Sequence, residues 1–283
     1  MAKINLGLDV IGKRADGYHD VRMIMQSINL YDSITITKTK SPKITVKTNL
    51  SYLPTNENNL VYRAADLLMS EFNITDGVFI NLEKHIPVAA GLAGGSSDAA
   101  ATLLGINKLF RLGLSKRELM QRGVTLGADI PFCLLRGTAL SEGIGEVLTP
   151  LPPMPKCHII IAKPDISVST KYVYDNLTLD ETTVHPDIDG MIELLTEQDL
   201  HGIASKLSNV LEQVTVTKYP IIRDIKQFLL DHGALNSLMS GSGPTVYGIF
   251  DDRDIAYQAK KHLIQAGLAK DVVLTSCFNN IRK

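Results

Sequence analysis

Three features are missing from this 283-residue chain: a Lys/Arg-rich block, a Cys-x-x-Cys pair, and an apolar run of membrane-spanning length. Lysine and arginine total 29 against 30 aspartates and glutamates, a net charge of −1, so no basic excess exists to neutralise a nucleic-acid backbone. Nucleic acid is therefore not an expected partner. Cys133, Cys157 and Cys277 are odd in number and widely spaced. They suggest reduced thiols in a cytoplasm rather than a disulfide framework or a zinc site. The opening Met1-Ala2-Lys3-Ile4-Asn5-Leu6 has no apolar signal core. No segment approaches the roughly 20 apolar residues that a membrane helix needs. The sequence predicts a soluble cytoplasmic protein with no membrane partner, no internal repeat and no low-complexity tract.

What is present is organised around Pro87-Val88-Ala89-Ala90-Gly91-Leu92-Ala93-Gly94-Gly95-Ser96-Ser97-Asp98. Before it, Val78 to Glu83 alternates apolar and polar at period two, the pattern of a half-buried strand. After it, Ala99, Leu103, Ile106 and Phe110 recur at helical spacing. A glycine-rich loop thus joins a strand to a helix. Gly91, Gly94 and Gly95 admit positive φ and close approach of a ligand to the backbone. The first N–H groups of the helix lack intrahelical partners and sit at the positive end of its dipole, which suits a phosphate. Ser96 and Ser97 add hydroxyls for phosphate oxygens or a magnesium ion, and Asp98 suits a helix cap or the metal's waters.

The loop lacks the Gly-Lys-Ser/Thr ending of a P-loop and the spacing of the dinucleotide fingerprint. From glycine and serine alone, a tight turn with Ser96 or Ser97 as N-cap is an equal account. However, Pro87-x-x-x-Gly91-Leu92-Ala93-Gly94-Gly95-Ser96-Ser97-Asp98-Ala99-Ala100 resembles the ATP-binding motif of the GHMP kinases. Its Gly-Gly-Ser-Ser form is most similar to the branch acting on a cytidylated methylerythritol in non-mevalonate isoprenoid synthesis. Two more motifs extend the resemblance over nearly the whole chain.

Near the start, Ile4, Leu6, Leu8 and Val10 alternate with Lys3, Asn5 and Asp9 as a strand whose polar face is ordinarily solvated. The resemblance instead places Lys3 and Asn5 in the phosphoacceptor site. Relatives carry several residues ahead of this motif, which implies a shorter opening strand here or a start upstream of Met1. Arg14-Ala15-Asp16-Gly17-Tyr18-His19 contains a turn pair that presents an aromatic and an imidazole, which a surface hairpin also explains. In the family branch it resembles, Tyr18 stacks on the cytosine and His19 hydrogen-bonds the base, with an aromatic at Tyr174 on the other face. Tyr172 and Tyr174 read equally well as core.

Further strands are predicted through Ile34–Thr37, Ile44–Lys47 and Ile159–Ile161, and helices from Asn58 to Phe72, 188–195, 200–207 and 220–230. Asn59 serves either as a helix N-cap or, by resemblance, beside the adenine or ribose. Lys84 reads as a solvated strand-end lysine more readily than a nucleotide contact. Ser115 has the form of a helix cap with Glu118 in its first turn. Gly127-Ala128-Asp129-Ile130-Pro131 resembles the family's Gly-Ala-Asp-x-Pro segment, whose Asp is the catalytic base; locally it also suits a helix cap. Leu238 to Gly248, with Gly241-Ser242-Gly243 at its centre, resembles the third motif, followed by a strand at Val246–Phe250. A helix at Ile255–Ala266 and a strand at Val272–Leu274 close a β-α-β unit. The proline-rich Leu151–Pro155 marks a domain boundary.

The resemblance implies an α+β, two-domain GHMP kinase fold, residues 1–152 and 153–283, the second ferredoxin-like, with the active site in the interdomain cleft. It implies transfer of the γ-phosphoryl of ATP, with Mg2+, to an alcohol. Lys3 and Asp129 are the expected catalytic pair. Pro87, Val88, Ala89, Ala90, Gly91, Leu92, Ala93, Gly94, Gly95, Ser96, Ser97 and Asn59 are expected at ATP, with Mg2+ at Ser97. Asn5, Tyr18, His19, Tyr174, Gly241 and Ser242 are expected at the cytidylated substrate. The alternatives are a GHMP kinase for another small alcohol and an inactive nucleotide-binding homologue; the partners expected are small molecules, in a monomer or homodimer. An ordinary aspartate, with a pKa near 3.9, is a weak base at neutral pH, so orientation of the hydroxyl counts as much as proton removal.

Overall fold

The structure is a computed structural model that describes residues 1–279 and divides into two compact units. Met1–Ala2, Leu30–Val88 and Ala93–Leu135 form the first; Lys3–Asn29, Ala89–Leu92 and the described residues from Arg136 form the second. Among the described residues the elements begin with β1 (Lys3–Lys13), β2 (His19–Ser27), β3 (Ser33–Thr39), β4 (Ile44–Thr48), α1 (Leu60–Glu71) and β5 (Gly77–Glu83). There follow α2 (Gly94–Phe110), α3 (Lys116–Gly123), α4 (Ile130–Leu135), β6 (Thr138–Glu142), β7 (Val147–Pro150) and β8 (His158–Lys163). Next come α5 (Thr170–Asp175), α6 (Ile188–Glu197), α7 (Leu200–Ser205), β9 (Ser208–Asn209), α8 (Glu212–Lys218) and α9 (Ile221–Asp231). The last are β10 (Asn236–Met239), β11 (Val246–Phe250), α10 (Arg253–Ala266) and β12 (Asp271–Ser276).

The first unit packs α1, α2, α3 and α4 with a three-stranded sheet of order β3-β5-β4, β3 antiparallel and β4 parallel to β5. Its core joins Val78, Ile80 and Leu82 of β5 to Leu68, Leu103, Ile106, Leu119 and Ile130 on the helices. The helix starts are set locally. Asn59 caps α1 by accepting from Val61 N at 2.9 Å, and Ser115 with Glu118 completes a capping box on α3. At α2 the expectation of a serine cap fails. Its N-cap is Ala93, left-handed at φ 55°, so Gly94 and Gly95 already lie in the helix and Ser96 and Ser97 in its first turn.

The second unit holds a five-stranded sheet of order β7-β6-β2-β1-β9 and a four-stranded sheet of order β10-β11-β8-β12. The latter, with every neighbouring pair antiparallel and helices between β8 and β10 and between β11 and β12, has β-α-β-β-α-β topology. The β-α-β unit expected at the carboxyl end is therefore split, with β8 between its two strands. β1 departs from the half-solvated strand its alternation suggests. Every residue from Lys3 to Val10 is buried, because β1 lies between β2 and β9, and Tyr247 of β11 donates from its hydroxyl to the Asn5 carbonyl at 2.7 Å.

Tyr247 is wholly buried, and this bond links the four-stranded sheet directly to the strand that carries Lys3 and Asn5. Tyr247→Phe keeps the shape and removes the donor, and should lower unfolding free energy by about 1–2 kcal/mol in urea denaturation. A midpoint unchanged at constant slope would show that the bond contributes nothing.

Candidate functional site

The glycine-rich loop winds through three left-handed residues two apart: Ala89 at φ 51°, Gly91 at 72° and Ala93 at 55°. Only glycine fits the middle one, since a Cβ there would lie 2.2 Å from the Ser240 carbonyl oxygen and 3.1 Å from that of Gly243. Ser240 also donates from Oγ to the Gly91 carbonyl at 3.0 Å. At the other end of the loop, Gly94, Gly95 and Ser96 form the first turn of α2, whose N–H groups have no acceptor within the helix. Such a turn is chemically suited to an anion. Ser97 is buried, and its Oγ accepts from the Met1 ammonium at 2.5 Å.

Lys84 is not the solvated strand-end lysine that its position suggests. It is buried, and its Nζ donates to Asp98 Oδ2 at 2.7 Å and to Asp32 Oδ2. Asp32 also accepts from the backbone N–H of His85 at 2.5 Å and of Ile86 at 2.8 Å. One carboxylate–ammonium–carboxylate cluster thus ties the segment entering the loop to the helix leaving it. A Cβ on Gly94 would sit 3.2 Å from Lys84 Nζ, so the cluster lies against the helix start. Burial pushes the Asp98 carboxyl up to about 7, against the pull of Lys84, and the neighbouring charge of Asp32 pushes it further. Asp98 is thereby an ion-pair residue rather than a cap.

Asp129 immediately precedes α4, where its backbone carbonyl accepts from Cys133 N at 3.0 Å. Its side chain does not cap the helix. Among the described residues the half-buried carboxylate makes no hydrogen bond or ion pair. α4 packs into the same core as α2, and a Cβ on Gly127 would lie 3.9 Å from Ser96 Oγ. The Gly127–Asp129 turn is therefore close to the first turn of the loop helix.

In the second unit, the buried Lys3 donates from Nζ to Asn5 Oδ1 at 2.7 Å, which fixes the two predicted acceptor-site residues against each other. The third motif comes to them: a Cβ on Gly241 would stand 3.4 Å from Lys3 Nζ and 3.3 Å from the Gly91 carbonyl oxygen. Ser242 Oγ shares a 2.9 Å hydrogen bond with Thr170 Oγ1 at the start of α5. That helix carries Tyr174, whose ring lies 5.0 Å from the ring of His19, centroid to centroid, tilted by 35°. Burial, with Lys13 adding to it and Asp175 opposing, lowers the His19 pKa, so its imidazole is largely neutral at pH 7. Tyr18, 60% exposed, stands at the tip of the β1–β2 turn. Tyr172 is not core: it is 37% exposed and takes the Lys218 ammonium over its ring at 3.3 Å.

The predicted site residues thus fall into two sets. Lys3, Asn5, Tyr18, His19, Ala89 to Leu92, Tyr174, Gly241 and Ser242 belong to the second unit, and Asn59, Pro87, Val88, Ala93 to Ser97 and Asp129 to the first. Residues 59–137 match the model of the GHMP kinases N terminal domain, and residues 191–269 that of the GHMP kinases C terminal. The chain belongs to the GHMP kinase family. It is 62% identical over 99% of its length to the 4-diphosphocytidyl-2-C-methyl-D-erythritol kinase of Lachnoclostridium phytofermentans, covering 96% of that protein. The same-named enzyme of Lachnospira eligens is 54% identical over 98% of this chain and 96% of its own. A crystal structure of 4-(cytidine 5'-diphospho)-2C-methyl-D-erythritol kinase superposes with a TM-score of 0.83 at 31% identity, covering 99% of this chain and 98% of that one.

Two tests follow from the Asp32–Lys84–Asp98 cluster. Lys84→Met leaves two buried carboxylates without their ammonium and should cost about 3–5 kcal/mol in urea denaturation; a loss under 1 kcal/mol would mean that water or another cation compensates. The second concerns pH. The folded-state pKa of Asp98 is raised, so its ionised form opposes folding above about pH 7, and that opposition fades as pH falls toward the unfolded value. The stability of the parent protein relative to Asp98→Asn should therefore rise from pH 8 to pH 5. A flat difference would refute the raised pKa.

Proposed function

We propose that this GHMP kinase transfers the γ-phosphoryl of ATP to the 2-hydroxyl of 4-diphosphocytidyl-2-C-methyl-D-erythritol, giving the 2-phosphate and ADP. The pathway is non-mevalonate isoprenoid synthesis, and we place the enzyme in the cytoplasm. The observation that carries the substrate is the aromatic pair: the tip of the β1–β2 turn and α5, distant in sequence, set His19 and Tyr174 side by side with Tyr18 exposed nearby. Two rings and a neutral imidazole suit a pyrimidine base, by stacking and by hydrogen bonding. The names of the relatives support the same substrate.

In this mechanism the loop from Pro87 to Ser97 holds the triphosphate through backbone N–H groups, and Asn59 approaches the adenosine. Phosphoryl transfer needs positioning and charge stabilisation above all. Asp129, with its carboxylate unengaged, orients the acceptor hydroxyl and takes its proton. Lys3, held by Asn5, offers its ammonium to the hydroxyl or the γ-phosphate. Gly241 and Ser242 close the acceptor side. Among the described residues no group of three His, Cys, Asp or Glu could cage a metal. An Mg2+ would be held mainly by the nucleotide's own phosphates, with Ser97 offering a hydroxyl to it. Bound there, the ion would neutralise charge developing between the β- and γ-phosphates. We also take residues 1–152 and 153–283 as the two domains, since the two family matches fall one on either side of that boundary.

The deciding experiment follows ADP release and the phosphorylated product with the cytidylated alcohol, mevalonate and homoserine as acceptors. Turnover is expected with the first alone; turnover with another alcohol, or with none, would overturn the assignment. Asp129→Asn should lower kcat by roughly 10²–10⁴-fold with ATP affinity kept. Tyr18→Ala should raise KM for the cytidylated alcohol by about 5- to 100-fold, the value of one lost base stack. An unaltered KM would dissolve the aromatic clamp.

A further inference from the structure

Among the elements no motif pointed to is the short run from β9 into α8. It fixes the loop containing Gly241 and Ser242 from beneath. Asn209 is buried and spends its whole amide: Nδ2 donates to the Met239 carbonyl at 2.9 Å and to the Gly241 carbonyl at 2.8 Å, and Oδ1 accepts from Leu211 N at 3.0 Å. The orientation is dictated by chemistry, since two carbonyl oxygens can accept only from the amino end. Glu212 accepts from Met239 N at 2.8 Å and is itself held by Lys226 Nζ at 2.6 Å. Thr215 Oγ1 lies 3.3 Å from the Ser242 carbonyl oxygen and 3.3 Å from that of Leu211, and its one hydrogen is shared between them. The loop's backbone is thus bonded at Met239, Gly241 and Ser242 to residues 209–215.

The same run is tied to the catalytic strand. β9 pairs in parallel with β1, Gly7 opposite Ser208 and Leu8 opposite Asn209, and Val210 N donates to the Leu8 carbonyl at 3.0 Å. Asn209 therefore stands between the strand that carries Lys3 and the loop that meets Lys3 Nζ. A loop of glycines has little stiffness of its own, so its distance from that ammonium must be imposed by what grips its carbonyls.

We propose, on the basis of the kinase mechanism above, that Asn209 is a positioning residue for phosphoryl transfer: its two-carbonyl grip sets the Gly241–Ser242 backbone against the Lys3 ammonium at the reacting end of the acceptor. The base-binding rings are on other elements, so loosening the grip acts on the chemical step more than on recognition. A misplacement of about 1 Å at such a site lowers turnover about 10²-fold.

The test compares three variants with the parent enzyme, whose own turnover of the cytidylated alcohol is measured first; its absence would refute the kinase assignment and not the grip. Asn209→Asp puts a carboxylate oxygen against two carbonyl oxygens. Its kcat should fall about 10²-fold while KM for the cytidylated alcohol changes less than threefold. Thr215→Val removes one bond to the loop at nearly constant shape and should lower kcat several-fold. Leu229→Ala, a cavity in the wholly buried face of α9, should lower the melting midpoint at least as far yet keep kcat within twofold at 25 °C. An Asn209→Asp kcat within threefold of the parent, or an equal loss in Leu229→Ala, would overturn the proposal. If Asn209→Asp does not fold, an unchanged kcat in Thr215→Val overturns it.

Discussion

One ammonium shared by two buried carboxylates is the constraint on which the glycine-rich loop depends. Asp32, Lys84 and Asp98 come from three segments; Asp32 also binds the main chain that enters the loop, and Asp98 sits in the helix the loop feeds. Remove the ammonium and the charges that remain cannot be hydrated where they lie. Burial first, and the neighbouring charge of Asp32 after it, make Asp98 hold its proton more firmly than an exposed aspartate does, against the pull of Lys84. A triphosphate gripped by the adjacent helix start would add more negative potential and strengthen that hold.

The second unit solves a different problem: a lysine is kept buried without a carboxylate partner. β1 achieves this by being covered on both faces, so that Lys3 has Asn5 as its partner and no carboxylate beside it among the described residues. An amide oxygen orients an ammonium without neutralising it. The charge that would be lost in a salt bridge remains for a phosphate or an alcohol oxygen. Tyr247 and the grip of Asn209 then hold the backbone on either side of that lysine.

Much of this was legible in the residues themselves, wherever the cause is local. The capping box at Ser115, the N-cap at Asn59 and the hairpin at Asp16-Gly17 each follow from side chains within four positions of the backbone they bind. The glycine loop suggested close approach of a ligand to the backbone; at Gly91 the close neighbour is the Ser240 carbonyl oxygen instead. What escaped were partners remote in sequence. Lys84 looked solvated because Asp32 lies 52 residues earlier, and nothing in Leu30-Tyr31-Asp32 marks a buried acid. The polar face of β1 looked wet because burial by β9 and β11 is tertiary. β9 is two residues long and α8, Glu-Gln-Val-Thr-Val-Thr-Lys, is rich in β-branched residues, so neither had a period to detect.

The two aspartates beside the loop helix show how environment divides roles that sequence leaves equal. Asp98 is buried and bonded to the Lys84 ammonium, so its carboxyl is already engaged in tying the helix to Lys84. Asp129 is half-buried and unengaged. A carboxylate can be left so only where water still reaches it, since a dry unpaired charge would cost several kcal/mol. The same access that makes its isolation tolerable also admits an alcohol, and displacing that water with a hydroxyl donor restores the lost hydrogen bond. Under the mechanism proposed above, the carboxylate that is unengaged yet solvated is the one of the pair fitted to meet a substrate, and the engaged one is fitted to keep the loop in place beside it.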